Sequence, residues 1–166
     1  LQAIKDNHFY AVYVINQGDG SAIAFIDIYP KRVNGISGMH DGTMGTGPDG
    51  ETDPQFIIPS EIVQQTSGTA PDTSALKNAF LVGASGTTVS DSSSASGVTT
   101  TPFYFGSDGL PCTPAGVTGG TLCRTSGAPT ANWIFFQSNV TQAWEAVTVT
   151  PAGRIKRWSY SSGAWR

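Results

Sequence analysis

A chain of 166 residues is long enough to bury one sizeable core and cramped for two, so residues 1–166 read as one domain. Charged residues are only 13% and the net charge is −3, which excludes a globally basic nucleic-acid binder or a charge-driven membrane ligand. With Gly, Ser and Thr plentiful, the profile suits an exported β-rich protein better than a cytosolic enzyme. No apolar run reaches the ~20 residues of a membrane span. No signal peptide is visible and the first residue is Leu1 rather than Met, which is read as a chain lacking its native N-terminus.

LQAIKDNH reads as the last turns of a helix, with Leu1, Ile4 and Lys5 at helical spacing and Asn7 and His8 near its end. FYAVYVI and SAIAFIDIY follow as two strands joined by the turn NQGDG, a hairpin from Phe9 to Tyr29. Both strands are apolar on both faces, as strands covered from two sides are. Residues 31–54 are Gly- and Asp-rich and predict a long loop, after which QFIIP and EIVQQT are short strand candidates. PDTSALKNAFLVG fits either a short helix capped by Asp72 or Ser74, or a strand at Phe80–Val82. TTVSDSSSASGVTTT is low in complexity and predicts an exposed loop. PFYFGSDGLPC, ANWIFFQSN and EAVTVTPAGRIKRWSYSSGAWR then give three strand–turn units. The last turns at Pro151-Ala152-Gly153, with a further strand candidate at Ala164-Trp165. The expected fold class is α+β: a helix end on a largely antiparallel sheet, with long irregular loops.

Cys112 and Cys123 flank a short Gly/Thr-rich segment, PCTPAGVTGGTLC. Neither histidine and no second cysteine pair stands near them, so the spacing fits no metal site. The pair is read as a loop disulfide, which implies an oxidising compartment.

Few residues of the chain suggest catalytic or metal chemistry. His8 and His40 are remote from each other in sequence, and no GxSxG nucleophile elbow is present. Asp41, Asp49, Glu51 and Asp53 lie on a Gly-rich loop, but their spacing matches no EF-hand and a solvated acidic loop is the expectation. Asn139-Val140-Thr141 is a formal glycosylation sequon and reads as a turn. No enzyme, metal or cofactor is expected.

The basic C-terminal segment is the best site candidate. Arg154, Lys156, Arg157 and Arg166 are threaded among Trp158, Tyr160 and Trp165 in a chain of pI near 5.1. Alternation puts Arg154, Lys156, Trp158 and Tyr160 on one face and Ile155, Arg157 and Ser159 on the other. Cations interleaved with aromatics suit phosphate neutralisation and base stacking, which makes Arg154, Lys156, Arg157 and Trp158 the candidate DNA contacts. The structural alternative turns Trp158 and Tyr160 into the core and leaves the cations guarding an edge strand.

Three stretches together resemble type IV pilin-like proteins of the GspH/FimT kind, the minor pilins and pseudopilins. QAIKDNHFYAVYVI with DGSAIAFID is similar to the pilin helix end running into the first hairpin. FYFGSDGLPC is similar to the family's strand and Gly-Leu-Pro turn, and WEAVTVTPAGRIKRW to its closing hairpin with a Gly-Arg turn. The resemblance covers both ends and patches of the middle. It implies a head domain whose hydrophobic helix, absent from this chain, anchors it in the inner membrane before assembly and packs in the filament core afterwards. It also implies an exported bacterial envelope protein, without a cofactor, whose partners are other pilin or pseudopilin subunits. Some FimT-like minor pilins are associated with DNA uptake through Gly-Arg-x-Arg in this hairpin. Here the residues are Gly153-Arg154-Ile155-Lys156, and lysine neutralises a phosphate without arginine's bidentate fork. The competing class is a secreted module binding glycan or a surface receptor, with Trp133, Trp144, Trp158 or Trp165 as its platform.

Overall fold

A computed structural model describes residues 9–16, 21–29, 54–81, 88–91, 103–106, 109–112 and 130–166. The helix end at 1–8, both histidines, the four acidic residues from Asp41 to Asp53 and Cys123 lie outside the described residues. So, therefore, does the pairing of Cys112 with Cys123.

The described elements are mostly antiparallel β-structure with one short helix. The first hairpin forms as expected: β1 (Phe9–Asn16) pairs antiparallel with β2 (Ala22–Tyr29). QFII and IVQQ become β3 (Gln55–Ile58) and β4 (Ile62–Gln65). The ambiguous segment folds as a helix, α1 (Thr73–Phe80), capped by Asp72, whose carboxylate accepts from the Ala75 amide at 3.2 Å. Residues expected in a loop supply β5 (Thr88–Asp91), which runs parallel to a later strand, β8. That is a correction: a TVSD segment has little strand signal of its own and gains a ladder only from the neighbour's open edge. FYF and Pro-Cys form β6 (Phe103–Phe105) and β7 (Pro111–Cys112). The chain closes with β8 (Thr130–Ser138), β9 (Trp144–Val149), β10 (Ile155–Ser161) and β11 (Ala164–Trp165).

These strands make two sheets rather than one. The first has the order β3-β2-β1-β6-β7, and the second β11-β10-β9-β8-β4, with β5 also on β8. β8 is apolar on both faces because both are covered. Its Ile134 packs against Val14 and Ala22 of the first sheet. Its Trp133 and Phe135 face the other way and gather Leu76 of α1, Ala146, Trp158 and Trp165. The layers are therefore helix, second sheet, first sheet. Under α1 the rings of Phe80, Trp133, Phe135, Trp165 and Tyr160 follow one another at centroid spacings of 6.1, 5.2, 5.9 and 5.2 Å. The Trp165 indole also donates to the Pro71 carbonyl at 2.8 Å, which ties the last strand to the entry of the helix.

Candidate functional site

The closing hairpin owes its shape to its turn residues. The Gly153 amide donates to the Thr150 carbonyl at 2.8 Å, and the Thr150 amide to the Arg154 carbonyl at 3.0 Å. Pro151 presets the backbone of the first turn position, and Gly153 takes the left-handed conformation at φ 77°. This fixes the register of β9 and β10, with Trp158 opposite Ala146 and Ser159 opposite Glu145. A second turn, Ser162-Gly163, has both residues at positive φ (51° and 78°) and folds β11 back on β10.

The register separates the four candidate contacts. Trp158 is 5% exposed and packs in the cluster under α1. Its indole N–H donates to the Thr148 hydroxyl at 2.8 Å. The ring therefore belongs to the core and offers no face to a base. Lys156 lies on the same face one step out, and its ammonium sits 3.4 Å from the Trp158 ring centroid, a cation–π contact. Arg154 and Lys156 are both exposed. Arg157 points to the opposite face and is held by Glu145 in a bidentate pair, Nε to Oε2 at 2.6 Å with the second bond between Nη2 and Oε1. Hydrogen bonding to Glu145 and its charge push the guanidinium up from its ordinary pKa. Arg157 thus keeps its charge but is paired with a carboxylate.

Arg154 and Lys156 flank a recess of about 70 Å³ whose floor includes Thr148, Thr150, Phe80 and Trp158. A space of that size takes a few waters or the oxygens of one anion, and no nucleobase. What the arrangement does chemically is offer positive charge and the Thr150 hydroxyl to an anion, with nothing that reads a sequence. Thr148, Thr150 and Glu145 were missed as site residues, although the hairpin register places Glu145 diagonal to Arg157 once the turn is assigned.

On the opposite face of the second sheet a cleft of about 550 Å³ opens between the sheets, walled by Ile58, Ile62, Phe136 and Val147, with Glu145 and Arg157 at its side. The sequon residues Asn139, Val140 and Thr141 lie in the exposed turn between β8 and β9, as expected of a turn. The Asn139 side-chain amide donates to the Ser60 carbonyl at 3.0 Å. Of the four tryptophans, Trp133, Trp158 and Trp165 are buried and Trp144 is half-buried against the same core, so the buried three present no platform to a sugar. Comparison with protein-family models, curated proteins and solved structures returns no match to this chain.

Proposed function

We propose that the chain is a structural subunit of an envelope filament, a minor pilin or pseudopilin of the GspH/FimT kind serving a type IV pilus or a type II secretion pseudopilus. Its closing hairpin makes a weak, sequence-independent contact to DNA phosphates. The observation that carries the DNA contact is the pair Arg154 and Lys156, both exposed, one just before β10 and one on it, where the next side chain on that face, Trp158, is locked in the core. Each cation is carried on a backbone fixed by the hairpin and can meet one phosphate of the duplex. The assembly role rests on the resemblance in the first and closing hairpins, which fold here as β1–β2 and β9–β10.

With Arg157 occupied by Glu145, two phosphates are neutralised, and the slope of log affinity against log salt on duplex DNA is expected near −2. Affinity for one head falls in the non-specific range, on the order of 10⁻⁴–10⁻⁶ M at physiological salt. Many copies along a filament raise it through avidity. Arg154→Gln with Lys156→Gln should abolish the DNA-induced NMR shifts in β10 and leave the fold intact; wild type showing no shifts at low salt refutes the contact. The native N-terminus tests the assembly role. A prepilin leader and a hydrophobic helix before Leu1 are expected, whereas an ordinary cleaved signal peptide favours the secreted module.

A further inference from the structure

We infer that β3 is a self-complementary docking edge, through which two copies of this chain pair antiparallel about a two-fold axis at Phe56. β3 ends the first sheet, and among the described residues nothing pairs with its outer side. The Ile26 amide donates to the Pro54 carbonyl at 3.0 Å, which fixes the alternation of the β2–β3 ladder. Pro54, Phe56 and Ile58 turn their backbone groups toward β2, opposite Ile26, Ala24 and Ala22. Gln55 and Ile57 therefore turn theirs outward. Each presents one amide N–H and one carbonyl on an open edge.

Natural edge strands are blunted by short length, by prolines, by lysines or inward charges, or by a covering element, and β3 is short, with a proline at each end. This one is not blunted by charge. Residues 54–60, PQFIIPS, carry none, and Phe56 and Ile57 are 60% and 79% exposed. Prolines stand only at its ends, as Pro54 and Pro59. The neutrality lets two copies meet without like-charge repulsion, and the outward groups of Gln55 and Ile57 make the edge complementary to itself.

One register uses the whole edge. With Phe56 opposite the same residue of the second copy, Gln55 faces Ile57 across the axis on both sides. Those two pairs exchange all of the outward N–H and C=O groups, four hydrogen bonds in total. The phenylalanines then form a close, non-hydrogen-bonded pair of rings across the axis. Shifting the register by two residues brings Pro59, which has no N–H, into the ladder and leaves the Gln55 carbonyl unmet. A four-residue edge is far smaller than the ~800 Å² per partner of a stable interface. The isolated pair is therefore weak, on the order of millimolar, and becomes populated where the chain is locally concentrated.

Oxidative cross-linking of the full chain tests both the contact and its register. Phe56→Cys places the two thiols directly opposite and should give a covalent dimer about tenfold faster than Ile57→Cys, whose thiols sit on a diagonal too long for a disulfide. Wild type sets the background from Cys112 and Cys123. Adding Ile57→Pro to Phe56→Cys removes an outward N–H without touching the bonds to β2, and should return the rate to background. Ile57→Lys, an exposed change that leaves the backbone intact, should do the same by like-charge repulsion should the proline variant fail to fold. Equal rates for Phe56→Cys and Ile57→Cys, or a dimer that persists with Ile57→Lys, overturns the proposal.

Discussion

Thr148→Val isolates one buried hydrogen bond behind the basic strand. Thr148 is 1% exposed and its hydroxyl is the acceptor for the Trp158 indole at 2.8 Å. Valine keeps the shape and the β-propensity but replaces the hydroxyl with a methyl, so the indole N–H is left buried without an acceptor. Leaving a donor in that state costs about 1–3 kcal/mol. The added methyl recovers at most about 0.8 kcal/mol through apolar burial. The net loss is about 1–2 kcal/mol, which at a urea m-value of about 2 kcal/mol/M lowers the unfolding midpoint by about 0.5–1 M. Tryptophan fluorescence across a urea series reads this directly. A double-mutant cycle with Trp158→Phe separates the hydrogen bond from packing, since without the indole N–H the Thr148→Val step should be neutral or slightly stabilising. A Thr148→Val protein with the wild-type midpoint, or one losing as much in the Trp158→Phe background, refutes the reasoning.

Three further outcomes are expected. Gly153→Ala and Gly163→Ala both force a side chain into positive φ, at 77° and 78°, but only at Gly153 does the new Cβ meet backbone, the Gly109 carbonyl oxygen at 3.3 Å. Both variants should lose about 1–2 kcal/mol in chemical denaturation, Gly153→Ala the more of the two, and the reverse order would count against the turn geometry. Asp72→Ala removes the cap on α1 and should cost about 1 kcal/mol, with Asp72→Asn close to wild type by the same measurement. The intact mass of non-reduced protein should be short by two hydrogen atoms for a Cys112–Cys123 bond, and full alkylation of both thiols without reductant would exclude it.

The exposure of Arg154 and Lys156 follows from a local rule. Pro151-Ala152-Gly153 specifies the turn, the turn specifies the register, and the register puts alternate residues on opposite faces. The same rule predicts that Lys156 and Trp158 share a face. It cannot say that this face is the buried one, because β10 carries polar and aromatic residues on one side and Ile155, Arg157 and Ser159 on the other. Burial was decided by the cluster under α1, where Trp158 packs with fully buried Leu76, while Lys156 stays exposed with its ammonium over the Trp158 ring.

What the sequence by itself determined was the set of strands in the two hairpins and the turns of the closing one, since each depends on a few neighbouring residues: β1 and β2 from runs of β-branched and aromatic side chains, β9 to β11 from Pro-Ala-Gly and Ser-Gly. Only the tertiary structure decided the rest. An eight-residue segment such as Thr73–Phe80 is too short to hold a helix without packing, and the burial of Leu76 in one cluster with Phe135 and Trp165 supplied the choice. Thr88–Asp91 became a strand because β8 had an edge to offer. Arg157 is paired with Glu145, twelve residues away, because the sheet placed the two side by side on one face. Non-local contacts of this kind carry the free energy that local propensity leaves undecided, and no window of sequence contains them.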